Sequence, residues 1–318
     1  MMICGFLRKT GTGLVLILLT ACVKELSYNI DGAILPVVNC VLSNDTVQKL
    51  TLTQSVRIDE AYGFKEIRDA EITLWADEAI AGRFERTGYA TWQLHYQPVI
   101  GQAYRLTVKL ADGTELTATT TMPADNRIVP AWETDHYPAR HFRQTTAENP
   151  CWIFVLSNRN GEIDTEHPSL SDKSLLRYAL GTDHPSVDRF NEDETASDLV
   201  ERISVPVSLR YIRTQPSDIT GEGILFSVQT NYSGYDFVYF RTASAEYDQY
   251  LKSSCRKLIA YEDEDDPIQW FNEDRVYSNI ENGLGIFAAY SDRFIYYHYN
   301  FFIYYDSTRI FPDIAFYD

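Results

Sequence analysis

Several side chains in this sequence have types and spacings that chemistry can use. Ser254 and Lys257 in "SSCRKL" stand three residues apart, so one helical turn would bring a hydroxyl and an amine to one face, as in some serine acylases. No S-D-N or K-T-G element follows, and two ordinary helix residues are the simpler reading. In "YEDEDD", Asp263, Asp265 and Asp266 could offer oxygen ligands to calcium, but the ordered Asp-x-Asn-x-Asn-Gly spacing is missing and a solvated loop is expected. His136 and His141 lie in a polar stretch without fixed geometry and read as solvent-facing. Cys40, Cys151 and Cys255 are far apart, lack any CxxC character, and read as buried small hydrophobes that permit at most one bridge. HExxH and GxSxG are absent, so a hydrolase would have to rest on paired carboxylates drawn from 45 Asp and Glu residues.

The most specific reactive group is Cys22. "MMICGFLRKTGTGLVLILLTACVKE" carries Arg8 and Lys9, then the apolar run Leu14 to Leu19, then Thr20-Ala21-Cys22. That run is too short to cross roughly 30 Å of hydrocarbon, which points to a cleaved signal over residues 1–21. Leu19-Thr20-Ala21-Cys22 resembles a bacterial lipobox, in which the cysteine becomes the acylated N-terminus. Several acyl chains matter here, because one chain binds a bilayer only marginally. Residues 22–32 would then form the lipidated tether, and Val23-Lys24-Glu25 looks like the basic-then-acidic signal of surface-routed lipoproteins, with Leu26 where a second acid would strengthen it. Cleavage leaves 318 − 21 = 297 residues and takes the formal charge from −17 to about −19. So acidic a body argues against non-specific nucleic-acid binding and against electrostatic adhesion to anionic lipid.

The elements that must position these groups are mostly strands. From residue 33 to 123, alternating segments such as "TVQKLTLTQSV" and "AEITLWAD" lead to "AYRLTVKLADGTELTATTTMP". There Tyr104, Leu106, Val108 and Leu110 share a face and Asp112-Gly113 turns the chain into a hairpin. Seven or so short strands predict an N-terminal immunoglobulin-like β-sandwich, without the Cys…Trp…Cys arrangement of immunoglobulin domains. Residues 124–150, polar and punctuated by Pro130, Pro138 and Pro150, read as a connector. Residues 151–318 read as a larger β-rich domain with long acidic loops, chiefly at 159–198, and one helix over "SAEYDQYLKSSCRKLIAY". Tyr247, Leu251, Ser254, Leu258 and Ile259 form that helix's expected packed face, with Glu246 near its positive end.

"YSNIENGLGIFAAY", residues 277–290, reads as a tight connection at Asn282-Gly283, a bulge or close backbone approach at Gly285, and then a buried strand. With the lipobox, "VQKLTLTQSV", "RDAEITLWAD" and "GQAYRLTVKLADGTELTATTTMP" in that order, it resembles the DUF4249 lipoproteins of the Bacteroidota over nearly the whole mature chain. The resemblance implies an outer-membrane, lipid-anchored and cell-surface protein, or one on the periplasmic face, acting beside a TonB-dependent receptor, with no catalytic residues and no cofactor to carry over. Trp132, Trp270, Tyr277, Asn279 and Asn282 are the candidate binding surface for a glycan, a peptide or a protein partner. A structural or adhesive subunit and a carboxylate-based hydrolase remain the competing roles.

Overall fold

The computed structural model describes residues 34–56, 64–131, 139–157, 180–182, 184, 188–190, 211–229, 235–262, 276–298, 301–306 and 309–310. Period-two alternation sets the first nine strands: β1 (Pro36–Leu42), β2 (Val47–Gln54), β3 (Lys65–Glu66), β4 (Ala70–Ala76), β5 (Ala79–Arg83), β6 (Glu85–Arg86), β7 (Thr91–His95), β8 (Ala103–Leu110) and β9 (Glu115–Thr121). The β8–β9 hairpin forms as the sequence predicts. Gly113 takes φ +90° and its N–H donates to Leu110 O at 3.0 Å, while Asp112 Oδ1 accepts from Thr114 N at 2.9 Å. One sheet runs β5-β4-β8-β9, and its inward Leu74, Tyr104, Leu106 and Leu116 meet Leu50 and Leu52 of β2 in one core. This is the expected sandwich of two stacked sheets.

The short strand β3 is held by charge. Glu66 accepts from the Ala90 backbone N–H at 3.0 Å, from Arg86 and from Arg68, and these bonds, the Ala90 one foremost, hold its carboxyl down at about 2.

The remaining strands are β10 (Arg127–Ala131), β11 (Ala139–Thr146), β12 (Cys151–Ser157), β13 (Leu180–Gly181), β14 (Asp188–Phe190), β15 (Tyr211–Thr214), β16 (Ile224–Gln229) and β17 (Tyr235–Ala243). They are followed by helix α1 (Ala245–Glu262) and by β18 (Leu284–His298), β19 (Phe301–Asp306) and β20 (Arg309–Ile310). The stretch 124–150, expected as a connector, therefore carries β10 and β11, which join β16 and β13 in a second four-stranded sheet. Its strand pattern is hidden because an inward position holds Gln144, fully buried and bonded through Oε1 to the Thr214 hydroxyl at 2.8 Å. Ile128, Phe142 and Phe226 of this sheet pack on Ile153, Val155, Val238 and Phe240. Of the acidic insertion at 159–198, β13 and β14 with Thr182 and His184 are described.

One sheet of twelve strands links all of this, in the order β14-β15-β12-β17-β18-β1-β2-β7-β6 with β3, β19 and β20 beside that path. Strand β12 reads as an unbroken apolar run because both its faces are covered: Ile153 and Val155 enter one core, Trp152 and Phe154 another. The pivotal element is β18. Its first part lies parallel to β1, from Val37↔Leu284 to Leu42↔Ala289, and its later part lies antiparallel to β17, from Ala243↔Tyr290 to Tyr235↔His298. Phe287 and Ala289 point into the sandwich core, whereas Ile286, Ala288 and Tyr290 point under α1 beside Tyr247 and Leu251. The two four-stranded sheets thus cover one face of the long sheet, and α1, the one α-helix among the described residues, covers the other where β12, β17 and β18 lie.

Gly285 makes the parallel junction possible. It adopts φ +108°, and a Cβ there would lie 1.9 Å from Val38 O, nearer than any side chain can stand. Gly285→Ala should cost about 3 kcal/mol or more in urea unfolding, because strain and clash combine. Gly101→Ala, at φ +77° with nothing within 4 Å of its Cβ, should cost about 1 kcal/mol from strain alone. Equal losses at the two positions would contradict a tight approach of β18 to β1.

Candidate functional site

The segment before β18 is built from polar side chains that bond to backbone. Asn279 Oδ1 accepts from Phe287 N at 2.9 Å and its Nδ2 donates to Phe287 O at 2.7 Å, so one side chain imitates a neighbouring strand. Asn282 sits in the left-handed region at φ +61°, which asparagine tolerates better than most residues, and its Nδ2 donates to Glu115 O at 3.0 Å. Between them Glu281 pairs with Thr117 of β9, its backbone N–H donating to Thr117 O at 2.9 Å and its carboxylate accepting from the Thr117 hydroxyl at 2.7 Å. Tyr277, half-buried, donates its backbone N–H to Ser253 Oγ of α1 at 2.9 Å. Burial, and then the nearby Glu246 carboxylate, push its phenol up. The three predicted residues are thus brought onto one segment that fastens β18 to β9 and α1, with both asparagine amides engaged inside the chain.

Helix α1 starts at the same place. Ser244 caps it, its Oγ accepting from Tyr247 N at 3.3 Å and from Ala289 N at 3.2 Å, while Thr120 reaches both Ser244 Oγ and the Glu246 carboxylate at 3.1 and 2.8 Å. Glu246 occupies the first turn, as charge and dipole favour.

Beneath the helix lie two buried ion pairs. Arg213 of β15 grips Asp248 of α1 with Nε–Oδ1 2.6 Å and Nη2–Oδ2 2.7 Å, and Trp152 Nε1 adds a bond to Oδ1 at 2.9 Å. Arg241 of β17 grips Asp292 of β18 at 2.8 and 2.6 Å, donates to Tyr247 Oη at 3.2 Å, and lies 4.0 Å from the centre of the Tyr290 ring. Burial alone would lower Arg241; the facing Asp292 carboxylate overrides it and holds the guanidinium well above its ordinary value. On the opposite face Arg293 reaches Asp125 at 3.0 and 3.2 Å, tying β18 to the chain between β9 and β10.

Such bidentate, desolvated pairs position elements, and each engages both oxygens of its own carboxylate. Among the described residues, no group of three or more His, Cys, Asp and Glu could hold a metal ion. Cys40 and Cys151 are free, buried thiols, and burial pushes Cys151 up to about 12, far from nucleophilic use at neutral pH. His141 lies in β11, and Ser254 is half-buried on α1. Cys22, Trp132, His136, Trp270, Asp263, Asp265 and Asp266, with the side chains of Cys255 and Lys257, lie outside the described residues. The two ion pairs escape a motif search, yet they leave a trace: Arg241 interrupts "DFVYFRTA" and Asp292 interrupts "IFAAYSDRFIYY", charges in otherwise apolar strands.

Residues 23–293 match the family described as "Domain of unknown function (DUF4249)", and the chain belongs to the DUF4249 family. No curated protein matches it. Seven solved chains do. One of them is a protein of Corynebacterium diphtheriae described as membrane anchored, 11% identical, with a TM-score of 0.19 and the match covering 67% of this chain and 55% of that one. This chain therefore spans about half the length of that protein, and so slight a likeness supports no statement about fold or role.

Removing one partner of a buried pair strands the other charge. Asp248→Ala should destabilise the protein by about 3–5 kcal/mol in urea unfolding, whereas Arg213→Met with Asp248→Leu should recover most of that loss. A single mutant within about 1 kcal/mol of the parent would contradict a structural role for the pair.

Proposed function

We propose that the chain is an envelope-anchored accessory lipoprotein that binds a partner or ligand and has no chemistry of its own. The observation that carries this reading is Leu19-Thr20-Ala21-Cys22, placed after a short charged and apolar leader and a dozen residues before the first described residue of the folded body, Ile34. The family match begins at residue 23, one residue beyond that cysteine, which agrees with a body that starts after the acylated position. Burial of both described thiols and pairing of Asp248 and Asp292 with arginines also favour binding over catalysis.

On this reading residues 1–21 are removed, Cys22 carries the acyl chains, and residues 22–32 tether the body to the outer membrane, displayed at the cell surface. The family resemblance makes a TonB-dependent receptor the partner of choice, with a glycan or peptide as cargo. Mass spectrometry of the natively expressed protein should find Cys22 as the N-terminal residue with acyl chains attached, and gentle solubilisation should recover a TonB-dependent receptor with it. An unmodified Cys22, or cleavage elsewhere, would overturn the anchor. An acylated protein that migrates apart from every such receptor would overturn the partnership alone.

A further inference from the structure

We infer that one end of the sandwich, carrying Ile34, Phe64, Tyr89 and Leu284, rests in the lipid interface of the membrane; this builds on the anchoring of Cys22 proposed above. These four are 41%, 70%, 65% and 41% exposed, the larger part of the exposed bulky apolar side chains among the described residues. Strand register puts them at one place. Ile34 comes two residues before β1 and Phe64 one residue before β3, and Pro36 and Lys65 both pair with Gln54 of β2. Leu284 opens β18 opposite Val37, and the Tyr89 hydroxyl reaches Phe64 O at 2.6 Å. All four therefore lie at the end where β1 begins.

That end is also where the tether joins the body. Residues 22–33 span at most about 40 Å when fully extended, so an acylated Cys22 keeps Ile34 within that distance of the bilayer. The other end of β1 is occupied: Asn44 bonds the backbone of Asp292 at 3.2 and 3.3 Å, and β18 continues from there into the second layered unit. Exposed Val99 and Ile100 lie at that far end, in the loop between β7 and β8.

The polar groups behind the patch favour lipid over protein as its occupant. Tyr89 Oη is already satisfied by Phe64 O, and the Glu66 carboxylate is satisfied by Ala90, Arg68 and Arg86. Neither of these two groups awaits a partner, which suits a medium that supplies no directed bonds. Aromatic side chains with one wet edge are favoured at the boundary between headgroups and acyl chains.

The test uses the full chain expressed in its own membrane, with Phe64 or Tyr89 replaced by the photo-crosslinker p-benzoylphenylalanine, and Val99 replaced likewise for comparison. Their exposure lets each variant fold, which circular dichroism checks. After irradiation, positions 64 and 89 should give phospholipid or lipopolysaccharide adducts at least five-fold more often than position 99. Equal lipid adducts at both ends, adducts to a protein at 64 and 89, or no adducts from a membrane-bound chain would overturn the inference and leave the anchor standing. A parent chain that leaves the membrane fraction on washing would overturn the anchor reading, and this inference with it.

Discussion

At Gly285 the backbone of β18 approaches the carbonyl of Val38 so closely that no β-carbon fits between them. From this contact six successive residues of β18 run parallel to β1. Without that parallel pairing, the sandwich built on β1 and β2 and the unit built on β12 and β17 would have no shared strand. Parallel neighbours such as Leu42 and Ala289 are 247 positions apart in sequence, and Asn44 and Asp292 beyond them 248, so closing these contacts is entropically expensive and they must be held firmly. The Asn279 clamp on Phe287 and the Glu281–Thr117 pair fix the register from one side; Arg241 with Asp292 fixes it from the other.

This division of labour explains why so many charged and amide groups are buried around one strand. Arg241 and Asp292 meet with matched geometry, so their desolvation is offset by two directed bonds. Alanines at 288 and 289, both fully buried, leave room on both faces of β18 for α1 and for the sandwich core. The result is a body whose buried ion pairs serve its architecture.

Local signals were legible where one segment contains its own answer. The β8–β9 hairpin announced itself through alternation and Asp112-Gly113, and α1 through its apolar spacing and Glu246. Gly285 was readable as a bulge or close approach, although not against which carbonyl. Strands β10 and β11 were hidden, because Gln144 occupies an inward position and its Oε1 finds a donor only in Thr214, seventy residues away. The pairing of the buried charges was hidden for the same reason: Arg241 and Asp292 stand out in apolar strands, but their partnership, like that of Arg213 with Asp248, appears only when distant elements meet. Asn279 and Asn282 have residue types that suit a binding surface, and which backbone groups their amides reach, Phe287 O and Glu115 O, depends on the fold.

The central claim is that β18 makes the described body one cooperative unit. Native-state hydrogen exchange measures it most directly, by comparing Cys40 and Leu42 in β1 and Leu106 in β8 with Ile153 in β12 and Phe240 in β17. The account predicts that amides from both groups exchange through the same global opening, with one free energy and one denaturant dependence. Exchange of the β1 and β8 amides through a separate, cheaper opening while β12 and β17 stay protected would contradict it.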